Sequence, residues 1–284
     1  MSLLDNYDGY AVTVVTVCRN AGDKLDVTAA SIAAQGRPDC EWLVVDGAST
    51  DNTVRRAEAW RERMAGSVRI VSEPDAGIYD AMNKGLRRAR GEWVLFLNAG
   101  DELIDAEALK SWVAKARDDV GLITGVTRMR DPLDGFTVEA GGEFSWVGVG
   151  VGKVPPHPSC LYRRDAAVAA GGYPEAFGLA GDTVLTLRVA ASGGVAHVPR
   201  VTALFSMDGV SSRFDWRWRV HRDKARAIRE AAPDWVWRRY RWRWPLEALR
   251  ATAAHLLRCC GLLGLWRRIK RVAGGRDDDR RGDR

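Results

Sequence analysis

Little in this chain would build a disulfide framework, a zinc site or a membrane span. Its 284 residues include 5 cysteines and 4 histidines. The cysteines at 18, 40, 160, 259 and 260 are odd in number, form no C-x-x-C spacing and have no histidine cluster beside them, which argues against a disulfide scaffold or structural zinc. No uninterrupted apolar run reaches the roughly 18 residues of a spanning helix. Met1 to Tyr10 carries acids and lacks the apolar stretch of a signal peptide. These absences lead to the expectation of a reducing, cytoplasmic setting. Internal repeats are absent too, and low complexity is confined to Gly274–Arg284, where charge without apolar residues points to disorder.

The net charge of +6 conceals an asymmetry. From Trp216 onward there are 20 Lys and Arg against 8 Asp and Glu, a balance of +12, which leaves 23 against 29, or −6, for everything before it. Seven of the 12 tryptophans lie in the same basic tail. The length suits one large domain followed by an extension.

Apolar runs and helical stretches alternate through the first half. Ala11–Val17, Glu41–Val45, Val68–Val71 and Glu92–Leu97 read as strands. Between them, a turn at Arg19–Gly22 leads into a helix to about Gln35, and Asp51–Met64 and Gly77–Arg90 read as two more helices. Such alternation means βαβ units and a mainly parallel sheet with helices on both faces. Further on, Ile104–Arg117 reads as a helix, Gly121–Met129 as a strand and Gly135–Pro156 as irregular or short-stranded chain around an acceptor cleft. Arg163–Gly171 and Asp182–Ser192 read as helices, and Val195–Phe205 as a returning strand.

Two of the buried runs end at acids. Leu43-Val44-Val45-Asp46-Gly47-Ala48-Ser49-Thr50-Asp51 is one, and Val94-Leu95-Phe96-Leu97-Asn98-Ala99-Gly100-Asp101 the other. Both acids then fall on the carboxyl rim of the sheet, where open α/β folds bind ligands.

Asp46–Asp51 resembles the D-G-x-S-T-D turn of family 2 glycosyltransferases, Asp75–Gly85 their D-x-G-x-Y-D-A-x-N-x-G segment, and Phe96–Asp101 their strand-end acid motif. The likeness runs from about Ala11 to about Ser212, and Pro156-His157-Pro158-Ser159 is similar to a segment of the colanic-acid biosynthesis type. It implies a GT-A fold: a Rossmann-like, mainly parallel sheet sandwiched by helices. It also implies an inverting enzyme that uses a nucleotide-sugar donor and a divalent cation, Mg²⁺ or Mn²⁺. The implied organisation is a nucleotide-sugar half at 1–125, an acceptor-binding and catalytic half at 126–212, an amphipathic helical, basic and Trp-rich extension at 213–273, and a disordered tail at 274–284.

The resemblance also distributes roles. Asp46, Asp75, Asp80, Asn83 and Asn98 are expected against the nucleoside and diphosphate. A cation bridging phosphates needs hard oxygen ligands, and Asp101 matches the last acid of the metal motif, with His157 a further candidate ligand. Asn98 and Gly100 stand where many relatives carry acids, and Gly47 where many carry a second acid, so neither metal dependence nor base identity follows. Asp101 also suits a helix cap, and Ser49, Thr50 and Asp51 suit a turn and cap. Lys84, one turn from Asp80, is expected on a solvated helix face. Ala180-Gly181-Asp182-Thr183 resembles the motif whose acid deprotonates the acceptor, which makes Asp182 the expected general base; a helix N-terminus favours the ionised form that a base requires, and capping is compatible with that role. Phe205–Ser212 resembles the closing loop near the donor phosphates.

The tail has three readings. Interleaved Arg and Trp suit nucleic acid. Leu246, Leu249, Ala253, Leu256, Leu257, Cys260 and Leu263 recur at helical spacing, which with flanking Arg and Trp suits an anionic membrane surface. The same stripe also suits packing against the catalytic domain or a second subunit. A peripheral contact on the inner membrane face through 213–273 is expected, and a nucleic-acid partner is not. The resulting expectation is transfer of a sugar to a hydroxyl of a cell-envelope or polysaccharide acceptor, free or lipid-linked. A nucleotide-sugar-binding scaffold without turnover is the alternative.

Overall fold

The computed structural model describes residues 9–37, 39–64, 67–131, 135–207 and 217–259, with the backbone alone at 217 and 254–259. The expectations for Asp208–Ser212, for Cys260 and Leu263, and for the tail at 274–284 lie outside these residues.

Strands β1 (Val12–Cys18), β2 (Cys40–Asp46), β3 (Val68–Ser72) and β4 (Trp93–Phe96) alternate with helices α1 (Asp23–Ala33), α2 (Thr53–Arg63) and α3 (Ile78–Arg88). All four strands pair in parallel, in the order β3-β2-β1-β4. Every residue of β2 and β4 is buried, as the continuous apolar runs require of strands covered on both faces. Alternate side chains supply two cores. Val12, Val14, Trp42, Val44 and Trp93 point to one, under α1; Val15, Leu43, Val45, Val94 and Phe96 point to the other, under α3.

The second half is mixed. β5 (Glu102–Leu103), α4 (Ala108–Val113), β6 (Val120–Arg130), β7 (Thr137–Gly141), α5 (Trp146–Val149), β8 (Cys160–Arg163), α6 (Arg164–Ala169), α7 (Gly181–Ser192) and β9 (Gly194–Ser206) follow. The sheet continues as β4-β8-β6-β9-β5, with β7 on β6. β8 lies antiparallel to both β4 and β6, whereas β6 and β9 are parallel. The long helix expected over Ile104–Arg117 is shortened to α4. The chain leaving β4 first pairs Glu102 and Leu103 with β9, and Asp105 then accepts the Glu107 N–H (3.0 Å) ahead of the helix. β8 gave no periodic signal because its run is only four residues long.

The extension folds into α8 (Arg217–Ala231), α9 (Asp234–Tyr240) and α10 (Trp244–Cys259). Ala225, Ile228, Val236 and Tyr240 are buried against Val149 of α5 and Leu187 of α7, so α8 and α9 share a core with the domain. α10 packs with Ala248 buried, whereas Leu246 and Leu249 are each 54% exposed and Trp242 is 72% exposed. The described part of the apolar stripe therefore faces away from the domain. No helix among the described residues is long and apolar enough to cross a membrane.

Candidate active site

The strand register sets the rim. Cys18 pairs with Asp46, and Asp46 with Ser72, so the ends of β1, β2 and β3 stand side by side. Asp46 is fully buried. Its Oδ2 accepts the Ser49 N–H (3.0 Å) and the Ser72 hydroxyl (2.6 Å), and its Oδ1 accepts the Ser49 hydroxyl. A carboxylate saturated from inside clamps the 47–49 turn to β3, so Asp46 shapes the rim of the sheet rather than presenting a free oxygen on it. Asn20 joins the same turn, donating its N–H to Ser49 Oγ (2.7 Å) and accepting the Thr50 N–H (2.9 Å).

Gly47 has a packing reason. A Cβ there would lie 2.7 Å from Asp75 Oδ2 and 3.4 Å from Arg19 Cβ. The space that an acid at 47 would fill is taken by Asp75, which reaches in from the segment after β3. Lys84 is not on a solvated face: its side chain is 13% exposed, and its Nζ lies 2.7 Å from Asp75 and 3.0 Å from Asp80. The Ala76 N–H and then Lys84 hold the Asp80 carboxyl below its ordinary range. Asp75, ahead of Asp80, raises the Lys84 amine. Asn83 uses its amide on the chain itself, donating to Tyr173 O and accepting Tyr173 N–H, both at 2.8 Å. That pair ties α3 to the loop before α7.

After β4 the chain turns toward a cavity of about 600 Å³. Arg19, Lys24, Tyr79, Asn98, Asp101 and Asp182 line it, whereas Asp46, Asp75, Asp80 and Asn83 do not. Asp101 is 4% exposed and accepts the Ser206 N–H at 3.3 Å. The Thr28 hydroxyl donates to Asp101 O (2.7 Å) and accepts the Gly100 N–H (2.9 Å), which fixes the turn. Among the described residues the buried Asn98 Oδ1 finds no hydrogen-bond partner. An orphaned amide oxygen and a carboxylate on one cavity wall are hard donors of the kind a divalent cation takes. Among the described residues no group of three His, Cys, Asp or Glu could hold a metal unaided. His157, the further expected ligand, lines the same cavity but has one ring nitrogen engaged. Its Nε2 is hydrogen-bonded to the Tyr173 hydroxyl (2.8 Å), and its ring stacks on Phe96 at 5.7 Å. Burial pushes the imidazole below its ordinary pKa.

A second cavity, of about 1020 Å³, opens on the other side, lined by residues of the 139–156 segment and by Lys224 and Arg239 of the extension. Met129, Pro156, His157, Leu179 and Asp182 belong to both walls. Among the described residues Asp182, in the first turn of α7, is thus the one carboxylate that faces both spaces. Its Oδ1 accepts the Thr183 N–H (2.7 Å), and the Thr186 hydroxyl, itself bonded to Tyr162, donates to Asp182 O (2.8 Å). Burial first, then the nearby Asp182 charge, raises the Tyr79 phenol above its ordinary pKa. A Cβ at Gly181 would meet the Tyr79 ring at 2.8 Å, so the glycine before the acid is what lets Tyr79 reach it.

Arg19, Lys24, Tyr79 and Lys224 were not singled out from the sequence. For Arg19 and Lys24 a signal existed, since two cations follow the first strand on the ligand rim. For Lys224, one cation among many in a basic tail, there was none.

Comparison with known proteins gives this arrangement its relatives. Residues 13–148 match the sequence profile of Glycosyl transferase family 2. The chain is 30% identical over 213 residues to an uncharacterized glycosyltransferase of Mycobacterium tuberculosis, covering 71% of this chain and 77% of that protein. It is 36% identical over 118 residues to a PGL/p-HBAD biosynthesis glycosyltransferase of the same species, 42% and 43% of the two chains. Among solved structures, a mannosyltransferase from Pyrobaculum calidifontis in complex with GDP-Man and Mn²⁺ superposes with a TM-score of 0.66 at 22% identity, over 93% of this chain and 79% of that one. The α/β sheet with its flanking helices is the GT-A fold, and with a relative of this identity aligned over most of its length, the protein belongs to glycosyltransferase family 2.

Proposed function

We propose that the protein is an inverting glycosyltransferase of the colanic-acid type, moving a sugar from a nucleotide-sugar to a hydroxyl of a cell-envelope or polysaccharide acceptor. The observation that carries this reading is Asp182 in the wall common to the two cavities. The smaller cavity takes the donor. Arg19 and Lys24 offset the charge of the diphosphate there, while Asp46 and Asp75 shape the nucleoside rim. Asp101 and Asn98 would hold a divalent cation, completed by phosphate oxygens and water; when bound, it neutralises charge on the departing diphosphate. The larger cavity takes the acceptor. Asp182 accepts the proton of the acceptor hydroxyl as that oxygen bonds to the anomeric carbon and the bond to the diphosphate breaks, in one displacement that inverts the centre.

Nucleoside diphosphates, tested with and without Mg²⁺ or Mn²⁺, are expected to raise the thermal midpoint. A ligand at a hundred times its Kd adds about 2.7 kcal/mol of stability. The cation should strengthen the effect, and less so in Asp101→Ala. Absence of stabilisation by every nucleotide would overturn the donor site and the enzyme with it.

The exposed Leu246, Leu249 and Trp242, with Arg241, Arg243 and Arg250 around them, support a peripheral contact with anionic membrane. Because α8 and α9 share a core with the domain, deleting the whole extension would test folding instead. Leu246→Glu with Leu249→Glu is expected to reduce flotation with liposomes containing anionic lipid while leaving nucleotide binding unchanged. Undiminished flotation would remove α10 from the contact.

A further inference from the structure

The extension does more than cover the domain, because α8 reaches both walls of the larger cavity with consecutive side chains. Asp223 Oδ2 accepts the Leu179 N–H (3.3 Å), and a Cβ at Gly178 would lie only 2.3 Å from that oxygen. This fixes the loop three residues before Asp182. Lys224 turns to the opposite wall, where its Nζ donates to Gly152 O at 2.7 Å. α9 adds Arg239, whose stem covers Gly150 so closely that a Cβ there would lie 2.9 Å from Arg239 Cδ. Both cations line the cavity that Asp182 faces.

Among the described residues Lys224 makes no ion pair within 4.0 Å, and Arg239 makes none either. Burial lowers the Lys224 amine from its ordinary pKa, against the opposing pull of the Glu247 and Asp182 carboxylates. An ammonium held in a partly dry wall by one carbonyl retains unused donor capacity. Of the acids on this cavity, Glu139 is paired with Arg128 at 2.8 Å, and Asp182 is placed for chemistry. Glu143 is the remaining one, on the segment across from the extension. Phe144 offers an apolar surface beside it. A neutral sugar would leave the ammonium with the field of Glu247 and Asp182 but no directly paired charge, whereas an anionic group would add a charge-assisted hydrogen bond.

We propose that α8 and α9 complete the acceptor pocket, and that Lys224, with Arg239 at the rim, binds a phosphate or carboxylate carried by the acceptor. This rests on the larger cavity being the acceptor site, as proposed above. The acceptor class is therefore an acidic saccharide or a sugar phosphate, and the basic extension selects for it.

The test uses the full chain saturated with a nucleoside diphosphate, so that the donor site is closed to small anions. Calorimetry would follow glucose 1-phosphate, glucuronate and glucose as probes. At least one of the two anions is expected to bind about 10-fold or more tightly than glucose, and the tighter one tells phosphate from carboxylate. Lys224→Met should abolish that preference and Lys224→Arg retain much of it, while the nucleotide-induced thermal shift stays as in the wild type. Arg239→Gln, at an exposed position, should weaken anion binding less and keeps the test open should Lys224→Met fail to fold. Equal binding of glucose and both anions would overturn the proposal. So would an anion preference untouched by Lys224→Met, or by Arg239→Gln where Lys224→Met does not fold. Loss of nucleotide binding in the wild type would instead count against the donor site.

Discussion

Asp182→Asn is expected to slow sugar transfer by a factor of about 10² to 10⁴, the usual contribution of a positioned general base. The substitution is nearly isosteric. Asparagine keeps an oxygen for the Thr183 N–H, which now donates at 2.7 Å, and the backbone carbonyl that anchors Thr186 is unchanged. What is lost is the negative charge that can take a proton from the acceptor. The nucleotide-induced thermal shift should therefore persist while turnover falls, a pattern that separates catalysis from folding and donor binding. Turnover at the wild-type rate would place the base elsewhere, or leave the protein as a nucleotide-sugar scaffold if the wild type itself shows none.

The largest stability effect is expected far from the chemistry. Glu41 on β2 is 1% exposed, lies 2.8 Å from Arg69, and accepts the Thr13 hydroxyl (2.7 Å) and the Arg90 N–H (3.0 Å). It thereby joins β1, β2, β3 and the turn entering β4 at the end of the sheet opposite the ligand rim. Glu41→Ala removes the acceptor from several donors at once and leaves the Arg69 charge with one carbonyl, Arg88 O, at 2.9 Å. Breaking such a pair costs about 3 kcal/mol, the lower end of the usual range because Arg69 is 31% exposed. For a domain of this size that is a fall of roughly 10 °C in Tm. Glu41→Gln should lose less, since it keeps one acceptor oxygen. A Tm within about 2 °C of wild type for Glu41→Ala would show that water replaces the pair without loss.

The first half of the fold was legible because its signals are local. The buried runs ending at Cys18, Asp46 and Phe96 are continuous enough to mark parallel strands, the shorter and half-buried β3 pairs beside them, and the glycines and cap residues between them mark the turns. The second half was less so. β8 has four residues, and β5 has two and exists only because β9 returns beside it. Neither has a period long enough to read.

Among the site residues, the sequence by itself determined the family motifs and the rim on which they gather, because strand direction and the alternation of side chains fix which ends of the chain meet. It did not determine which polar groups remain available to a ligand. Asp46 is saturated by Ser49 and Ser72, Asn83 by the Tyr173 backbone, and Lys84 by Asp75 and Asp80, whereas Asn98 Oδ1 has no such partner among the described residues. Only the tertiary structure decided that, and it also brought Lys224 beside the cavity that Asp182 faces. The physical reason is that a hydrogen-bonding group is free or spent according to neighbours that can lie ninety residues away, as Tyr173 does from Asn83, and no local pattern records them.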